Sequence, residues 1–503
     1  MTSDTYGKHA IVTGLLSPEQ IVAAGLAAAG SARGATGPSV GCAVVVRSAS
    51  QANVRWANNT VTTNGLATSV EFYVVAVVPA GDSPGGLAAA TVAGSSADAM
   101  SAASVAAVVR AAEDAALVAA ASGPARDGVD LCAGDAVAAG IGTAEPAAVD
   151  ADFGATAAAT SFDVFAPILP GLAGAFDDAR SGDRVLYGFA RHEVATIHLG
   201  TSTGVRRRWV QPTGTFEMNA KSADMARSSW SGASTVDFTD VDIAATNSVL
   251  TERLGWASRR VDLSPGRYDT VLPPTSVADF MINLAWNAGA RPAHEGRSAF
   301  SAKGGTRVGE RLTDRALTLY GDPAEHGLEC APFVETPYSS DEATVFDNGA
   351  PSGRIELIRD GCIHSLLQTR ASAAEYGAAF TPAVDNLVLA GGDETRTTAD
   401  LVAGVRRGLL VTSLWYIREV DPMTMLLTGL TRDGVFLIEN GEVTAAVNNF
   451  RFNMSPLDVL RRGADVGRTE RCLSREWSDY FTRTAMPSMR VDGFQMSSVS
   501  QAQ

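Results

Sequence analysis

Two periods of apolar residues organise the chain. The stretch "SPEQIVAAGLAAAGSAR" begins with Ser17, Pro18 and Glu19. A capping hydroxyl, a first-turn proline and a first-turn acid in that order predict a helix. "GCAVVVRSASQANVRWANNTVTTNG" then alternates apolar and polar positions, which predicts strands joined by a tight turn. "TSVEFYVVAVV" predicts a further strand, and the Ala-rich "SADAMSAASVAAVVRAAEDAALVAAA" a helix with few breakers. "GGLAAATVAGSS", near Gly85, has the small-residue composition of a flexible loop. This first part therefore reads as an α/β alternation.

From about Ala151 the pattern changes. "DRVLYGFARHEVATIHLGTSTGVRRRWVQPTGTFEMNAKS" is rich in β-branched residues and turn residues, and it predicts antiparallel strands. "PPTSVADFMINLAWNAGA" predicts a helix. Beyond it, Asp360-Gly361, Asp433-Gly434 and Asn440-Gly441 supply the positive φ angles of two-residue hairpins. The expected class is α+β. An N-terminal α/β domain over residues 1–245 is followed by a C-terminal domain over 246–503, built on a large, mostly antiparallel sheet. A length of 503 residues fits more than one domain.

Charge narrows the partners. The net charge of −15 argues against nucleic acid or an anionic membrane, both of which call for a basic surface. Cys42, Cys132, Cys330, Cys362 and Cys472 are widely spaced and form no CxxC pair, so buried reduced thiols are expected rather than disulfides or a zinc ribbon. The N-terminal residues contain no continuous apolar core of a signal peptide, and no run is long enough to span a bilayer. A cytoplasmic protein is expected, which leaves the sequon at Asn58 without meaning.

Several motifs invite a catalytic reading and fail on geometry. In "RHEVATIH" the residues His192, Glu193 and His198 resemble a zinc peptidase signature. However, six residues turn a straight helix by about 600°, about 240° net, so the two rings face apart. On a strand they lie about 20 Å apart. His294-Glu295 and His364 stand alone in sequence, and Pro323 and Gly327 flank the His326/Cys330 pair against a helix. "GTSTG" spells GxSxG around Ser202, but a strand follows where a nucleophile elbow needs a helix, so a hairpin turn is expected. "GGTRVG" at Gly304 lacks the strand–turn–helix setting of a phosphate loop. The acidic "SSDEATVFDNG" reads as a solvated loop.

Four stretches carry a resemblance: "VRWANNTVTTNG", "HLGTSTGVRRRWVQPTG", "RGLLVTSLWYIREVDPMTMLLTGLTRDGVFLIENGEV" and "AMPSMRVDGFQMSSVSQAQ". Together they resemble the TldD/PmbA family along nearly the full chain, in particular the TldE (PmbA) type of actinobacteria. The resemblance implies an N-terminal α/β domain and a C-terminal antiparallel-sheet domain. It also implies two kinds of subunit. TldD-type chains carry HExxxH on a helix with a C-terminal Cys as a third zinc ligand, and there zinc would polarise the scissile carbonyl while the Glu activates water. TldE-type chains lack the motif and pair with them in a heterodimeric metallopeptidase.

Placed on this sequence, the motif helix is "SVADFMINLAWNAG", and the three motif positions fall near Phe280, Met281 and Ala285. None can bind zinc or act as a base. Cys472 lies close to the place of the Cys ligand. The resemblance thus implies a non-catalytic subunit with no cofactor of its own and with zinc in the partner. Its substrate would be a peptide or amide, within general proteolysis or natural-product maturation. Trp415, Tyr416, Arg418 and Trp477 are the expected contacts with partner or substrate, as large apolar faces with polar handles. Two rival readings are a homodimeric scaffold that holds peptides without cutting them, and an autonomous hydrolase using Ser202, His326 with Cys330, or the "SSDE" acids.

Overall fold

The computed structural model describes residues 14–31, 41–81, 85–133, 150–432 and 434–500. The first sheet has six strands: β1 (Gly41–Ala57), β2 (Thr60–Pro79), β3 (Leu87–Gly94), β4 (Arg184–Thr201), β5 (Arg206–Ser222) and β6 (Ser228–Thr235). Their order is β3-β2-β1-β4-β5-β6. Along the chain the strands come in two runs of three with helices before, between and after them, rather than in the expected α/β alternation. Every strand pair in this sheet is antiparallel. Asn58 and Asn59, with φ of 53° and 58°, close the β1–β2 hairpin. Two positive φ angles match the strand twist, and Asn tolerates them better than most residues. The GTSTG stretch is the β4–β5 turn, with Gly204 at φ 99°.

Helices cover one face of this sheet. α1 (Pro18–Ser31) begins with a reciprocal cap between Ser17 and Gln20, whose bonds are 2.9 and 3.2 Å. α2 (Ala102–Ala120) is capped by Ser101. Ile21, Val22, Val105 and Val109 pack with Val44, Val46, Phe72 and Val74. α3 (Leu169–Ser181) and α4 (Ile243–Trp256) cover the β4–β6 end, with Leu172, Phe176 and Leu250 against Phe216 and Met218. The other face is covered too. Phe333, Val345 and Phe346 meet Ala43, Val45, Val75 and Leu199 there. Burial on both sides explains the unbroken apolar run at the start of β1.

Two sequence expectations are corrected here. Residues 87–94 are not a loop; they form β3, paired with β2 from Phe72↔Gly94 to Pro79↔Leu87. Alanines can line a strand where helix α2 packs closely. "SSDEATVFDNG" is not a solvated loop either. Thr344, Val345, Phe346, Asp347 and Asn348 are buried, and the Asp347 carboxylate is matched by Arg370 at 2.7 Å.

The second half forms a fourteen-stranded, mostly antiparallel sheet. Its early elements are β7 (Arg260–Val261), β8 (Gly266–Leu272), α5 (Pro274–Trp286) and α6 (Ala290–His294). The small hairpin of β9 (Ser301–Ala302) and β10 (Gly305–Thr306) stands apart. Next come β11 (Thr318–Gly321), β12 (Ile355–Arg359), β13 (Cys362–Ile363), α7 (Arg370–Tyr376), β14 (Leu387–Ala390), α8 (Thr398–Ala403) and β15 (Arg407–Val411). The chain ends with β16 (Leu414–Asp421), β17 (Leu426–Thr431), β18 (Val435–Glu439), β19 (Glu442–Val447), β20 (Phe450–Met454), α9 (Pro456–Arg461), β21 (Gly463–Cys472) and β22 (Thr484–Val499).

Asp360-Gly361 turns β12 into β13, and Asn440-Gly441 turns β18 into β19, each with two positive φ angles. The Asp433-Gly434 hairpin does not form as a pair of neighbours: β17 bonds to β16 and β20, and β18 to β15 and β19. Asp433 itself lies outside the described residues. α5 lies against β22, β21 and β8 over the main core, so it is the element around which the second half is packed.

Candidate functional site

α5 is the helix onto which the sequence resemblance places the catalytic motif. Pro274 occupies its first turn, where a missing N–H costs nothing. Nearly every side chain from Ser276 to Leu284 is buried. Phe280 is fully enclosed, with ring centroids 5.7 Å from Phe452 and 5.9 Å from Phe494. Met281 is fully buried in the same core, and Ala285 packs against it. Cys472, at the end of β21, lies 3.5 Å from the Pro274 carbonyl oxygen and 3.4 Å from Thr484 Oγ1. Burial pushes its thiol up to about 12, and the nearby Asp279 charge adds to this. Zinc requires thiolate, imidazole or carboxylate ligands. Phe280, Met281 and Ala285 offer none, and Cys472 alone would be a single ligand, so these side chains do not fit the metal. Among the described residues, no three of His, Cys, Asp and Glu gather to hold one.

Asp279, one residue before Phe280, was not singled out by sequence and is the most unusual group nearby. It is fully buried. Its Oδ1 accepts from Ser474 Oγ at 2.5 Å and from the Glu476 amide at 3.1 Å. Burial is the main cause that raises it to about 7, with the Glu476 charge acting in the same direction and Arg475 against it. The only sequence signal was a carboxylate inside the apolar run "VADFMINLAW".

Glu476 connects this helix to the expected contact residues. Its carboxylate accepts from the Tyr416 and Ile417 amides at 2.8 and 2.9 Å. Tyr416 is 56% exposed, and Arg418 lies 4.5 Å above its ring. Trp477 donates its indole N–H to the Asp279 carbonyl at 3.1 Å and meets Trp286 edge-on at 5.0 Å. Trp415 is half-buried between Arg432 and Arg475. The Glu476 carboxylate therefore joins Tyr416 and Arg418, while the neighbouring Trp477 is held by the Asp279 carbonyl, and Trp415 belongs to an arginine–aromatic cluster beside them.

The other candidates are dispersed. His192 is buried and bonded to Thr160 Oγ1 at 2.6 Å and to the Val236 carbonyl at 2.9 Å. His198 is buried edge-on to Phe153, 5.4 Å between centroids, and burial lowers it to about 4. His326 points into solvent while Cys330 is buried, so they share no site. His294 and His364 line a cavity of about 590 Å³ with Arg354, Glu356 and Arg359. A larger cleft of about 1580 Å³ opens between the two sheets. Arg208–Gly214 of β5 form one wall, and Leu328, Arg471 and Arg483 face them. β6 pairs with β5 only over Gly214–Lys221, so this wall has no strand partner on the cleft side among the described residues.

Comparison with known proteins bears on the same region. Residues 265–498, from β8 to β22 and including α5 and Cys472, match the PmbA/TldA metallopeptidase C-terminal domain. That stretch is a PmbA/TldD-family domain. No curated protein matches the chain by sequence. Among solved structures, TldE from Thermococcus kodakarensis is 16% identical, with a TM-score of 0.69 over 91% of this chain and 96% of that one. A proposed modulator of DNA gyrase from Bacteroides thetaiotaomicron is 15% identical, with a TM-score of 0.71 over 96% and 99%. Another from Thermotoga maritima is 14% identical, with a TM-score of 0.65 over 90% and 95%. At these identities the likeness shows a shared fold across both sheets. No helix among the described residues is long and apolar enough to cross a membrane.

Proposed function

We propose that this chain is a TldE-type subunit with no zinc centre of its own. It would act in the cytoplasm, paired with an HExxxH-bearing TldD-type chain that holds the zinc and cuts the substrate. One observation carries the reading: where the resemblance places the motif, near Phe280, Met281 and Ala285 on α5, no side chain can bind zinc, and the first two are sealed into the core. A helix packed this way on aromatic neighbours contributes a wall and not a catalyst. The cleft beside β5 supports a role in admitting substrate, because its volume and exposed main chain suit an extended peptide or a peptide-derived amide, including one from natural-product maturation.

The deciding experiment is native mass spectrometry of the tagged chain purified from its own source. A one-to-one complex with a second chain and one zinc, with none on this chain alone, is the expected result. A zinc-loaded homodimer would overturn the proposal. A metal-free homodimer would replace it with a peptide-holding scaffold.

A further inference from the structure

Asp279 Oδ2 is buried and has no hydrogen-bond partner among the described residues, on a helix whose buried side chains are mostly apolar. Such a group is unfavourable unless it organises something. What it organises is the segment 474–477, which it grips three times: at Ser474 Oγ, at the Glu476 amide, and through its own carbonyl at the Trp477 indole. Ser474 Oγ also receives the Trp477 amide at 3.1 Å, which closes the turn.

That segment in turn holds β16. The Glu476 side chain, 8% exposed, takes both adjacent amides at Tyr416 and Ile417, and Arg418 approaches it at 3.4 Å. The register of β16 with β17 breaks between Trp415 and Arg418, and Tyr416 sits at φ 57°. A left-handed conformation is disfavoured for tyrosine, and such strain persists only where its surroundings impose it. Its effect is to turn the Tyr416 ring outward on a strand whose one pairing partner among the described residues is β17. Val420 and Met423 continue the exposed surface, at 55% and 48%, and the Arg418 side chain is 57% exposed. Asp421 bonds the Met423 amide and Thr424 hydroxyl, so it shapes the tip of the hairpin.

We propose that Asp279 is a positioning residue: through Ser474 and Glu476 it fixes the bulge at Tyr416, and so presets Tyr416, Arg418 and Trp477 as the docking surface for the partner chain. This rests on the heterodimer reading above. The partner would present an apolar face to Tyr416, Val420 and Met423, since aromatic and Met side chains, together with Arg, are the usual anchors of such contacts and these are the exposed apolar groups of the hairpin. Fixing the anchors beforehand removes part of the ordering penalty of association. The helix that would carry the catalytic motif thus serves here to hold an interface.

The test combines amide hydrogen exchange on the isolated chain with partner affinity measured on the reconstituted pair. Asp279→Ala and Glu476→Ala are each expected to speed exchange at Tyr416 and Ile417 and to weaken partner binding by about tenfold or more. Arg418→Ala should weaken binding without changing exchange. Should Asp279→Ala fail to fold, Ser474→Ala, which removes one of the grips, and Glu476→Gln report the same two quantities. Unchanged exchange would remove the lock. Faster exchange with unchanged affinity would make the network purely structural and overturn the proposal. If the wild-type chain binds no zinc-bearing chain at all, the heterodimer reading and the docking role fall together, while the exchange result still decides whether Asp279 holds the bulge.

Discussion

His198 in the first sheet and Asp279 in the second half are both buried, both titratable, and both carry ring or carboxylate atoms without a hydrogen-bond partner of good geometry. Their surroundings treat them differently. His198 lies edge-on to Phe153 as an uncharged ring, and among the described residues no side-chain hydrogen bond ties another segment to it. Asp279 keeps two donors on one oxygen and through them orders four residues of a neighbouring segment. Burial alone thus marks neither group as important. What separates them is whether the polar atoms hold another part of the chain in place.

The largest expected effect serves as the control. Phe280→Ala, adjacent to Asp279, should cost about 3–5 kcal/mol at every pH, because it empties a site filled by Phe452 and Phe494. Urea titrations from pH 4 to 9 should show a uniform loss; a loss confined to one pH range would mean that packing and proton binding are not separable on α5.

Asp279 comes next. Its folded value of about 7 lies above the unfolded carboxylate value of about 3.9, so the native state holds a proton that the unfolded chain has released. Its contribution is complete below about pH 4 and is lost as pH rises to about 7, by at most about 4 kcal/mol. Asp279→Asn should flatten that part of the stability profile. An unaltered slope would show that the carboxylate is ionised at no penalty.

His198 has the opposite sign. Its folded value of about 4 lies below the unfolded 6.5, so its contribution is present above about pH 6.5 and falls away toward pH 4, by about 3 kcal/mol. In His198→Leu this acid-side loss should vanish while partner binding stays the same. A binding defect in that variant would erase the contrast drawn between the two groups.

The smallest effect concerns strain. Tyr416→Gly relieves a left-handed tyrosine and should raise stability by up to about 1 kcal/mol, while removing an anchor from the proposed surface. A thermal melt and a binding measurement on the same sample check both; a destabilised variant would mean that the bulge is not strained.

Legibility followed the range of the interaction. The hairpins at Asp360-Gly361 and Asn440-Gly441 were readable because two adjacent residues determine them. α5 was readable from its apolar run, and the failure of His192 and His198 as a metal pair followed from strand spacing alone. The strand at 87–94 was hidden by its small residues, which signal a loop until α2 and β2 supply the packing. Asp347 looked solvated because its partner Arg370 is remote in sequence. Trp415, Tyr416, Arg418 and Trp477 were chosen for their chemistry, but the link between them, Glu476 and Asp279, depends on segments about 60 and 200 residues apart and left no local pattern.

The strand order of the first sheet also affects how the protein is made. β1 is a central strand, and one of its neighbours, β4, begins at Arg184. A ribosome adding about 5–20 residues per second needs roughly ten seconds to go from the end of β1 to the end of β4. Throughout that interval the nascent chain exposes a long, valine-rich strand with one edge unpaired. Production of this protein in a foreign host should therefore be limited by aggregation of the growing chain, and slower growth or added chaperone should raise the yield of folded material.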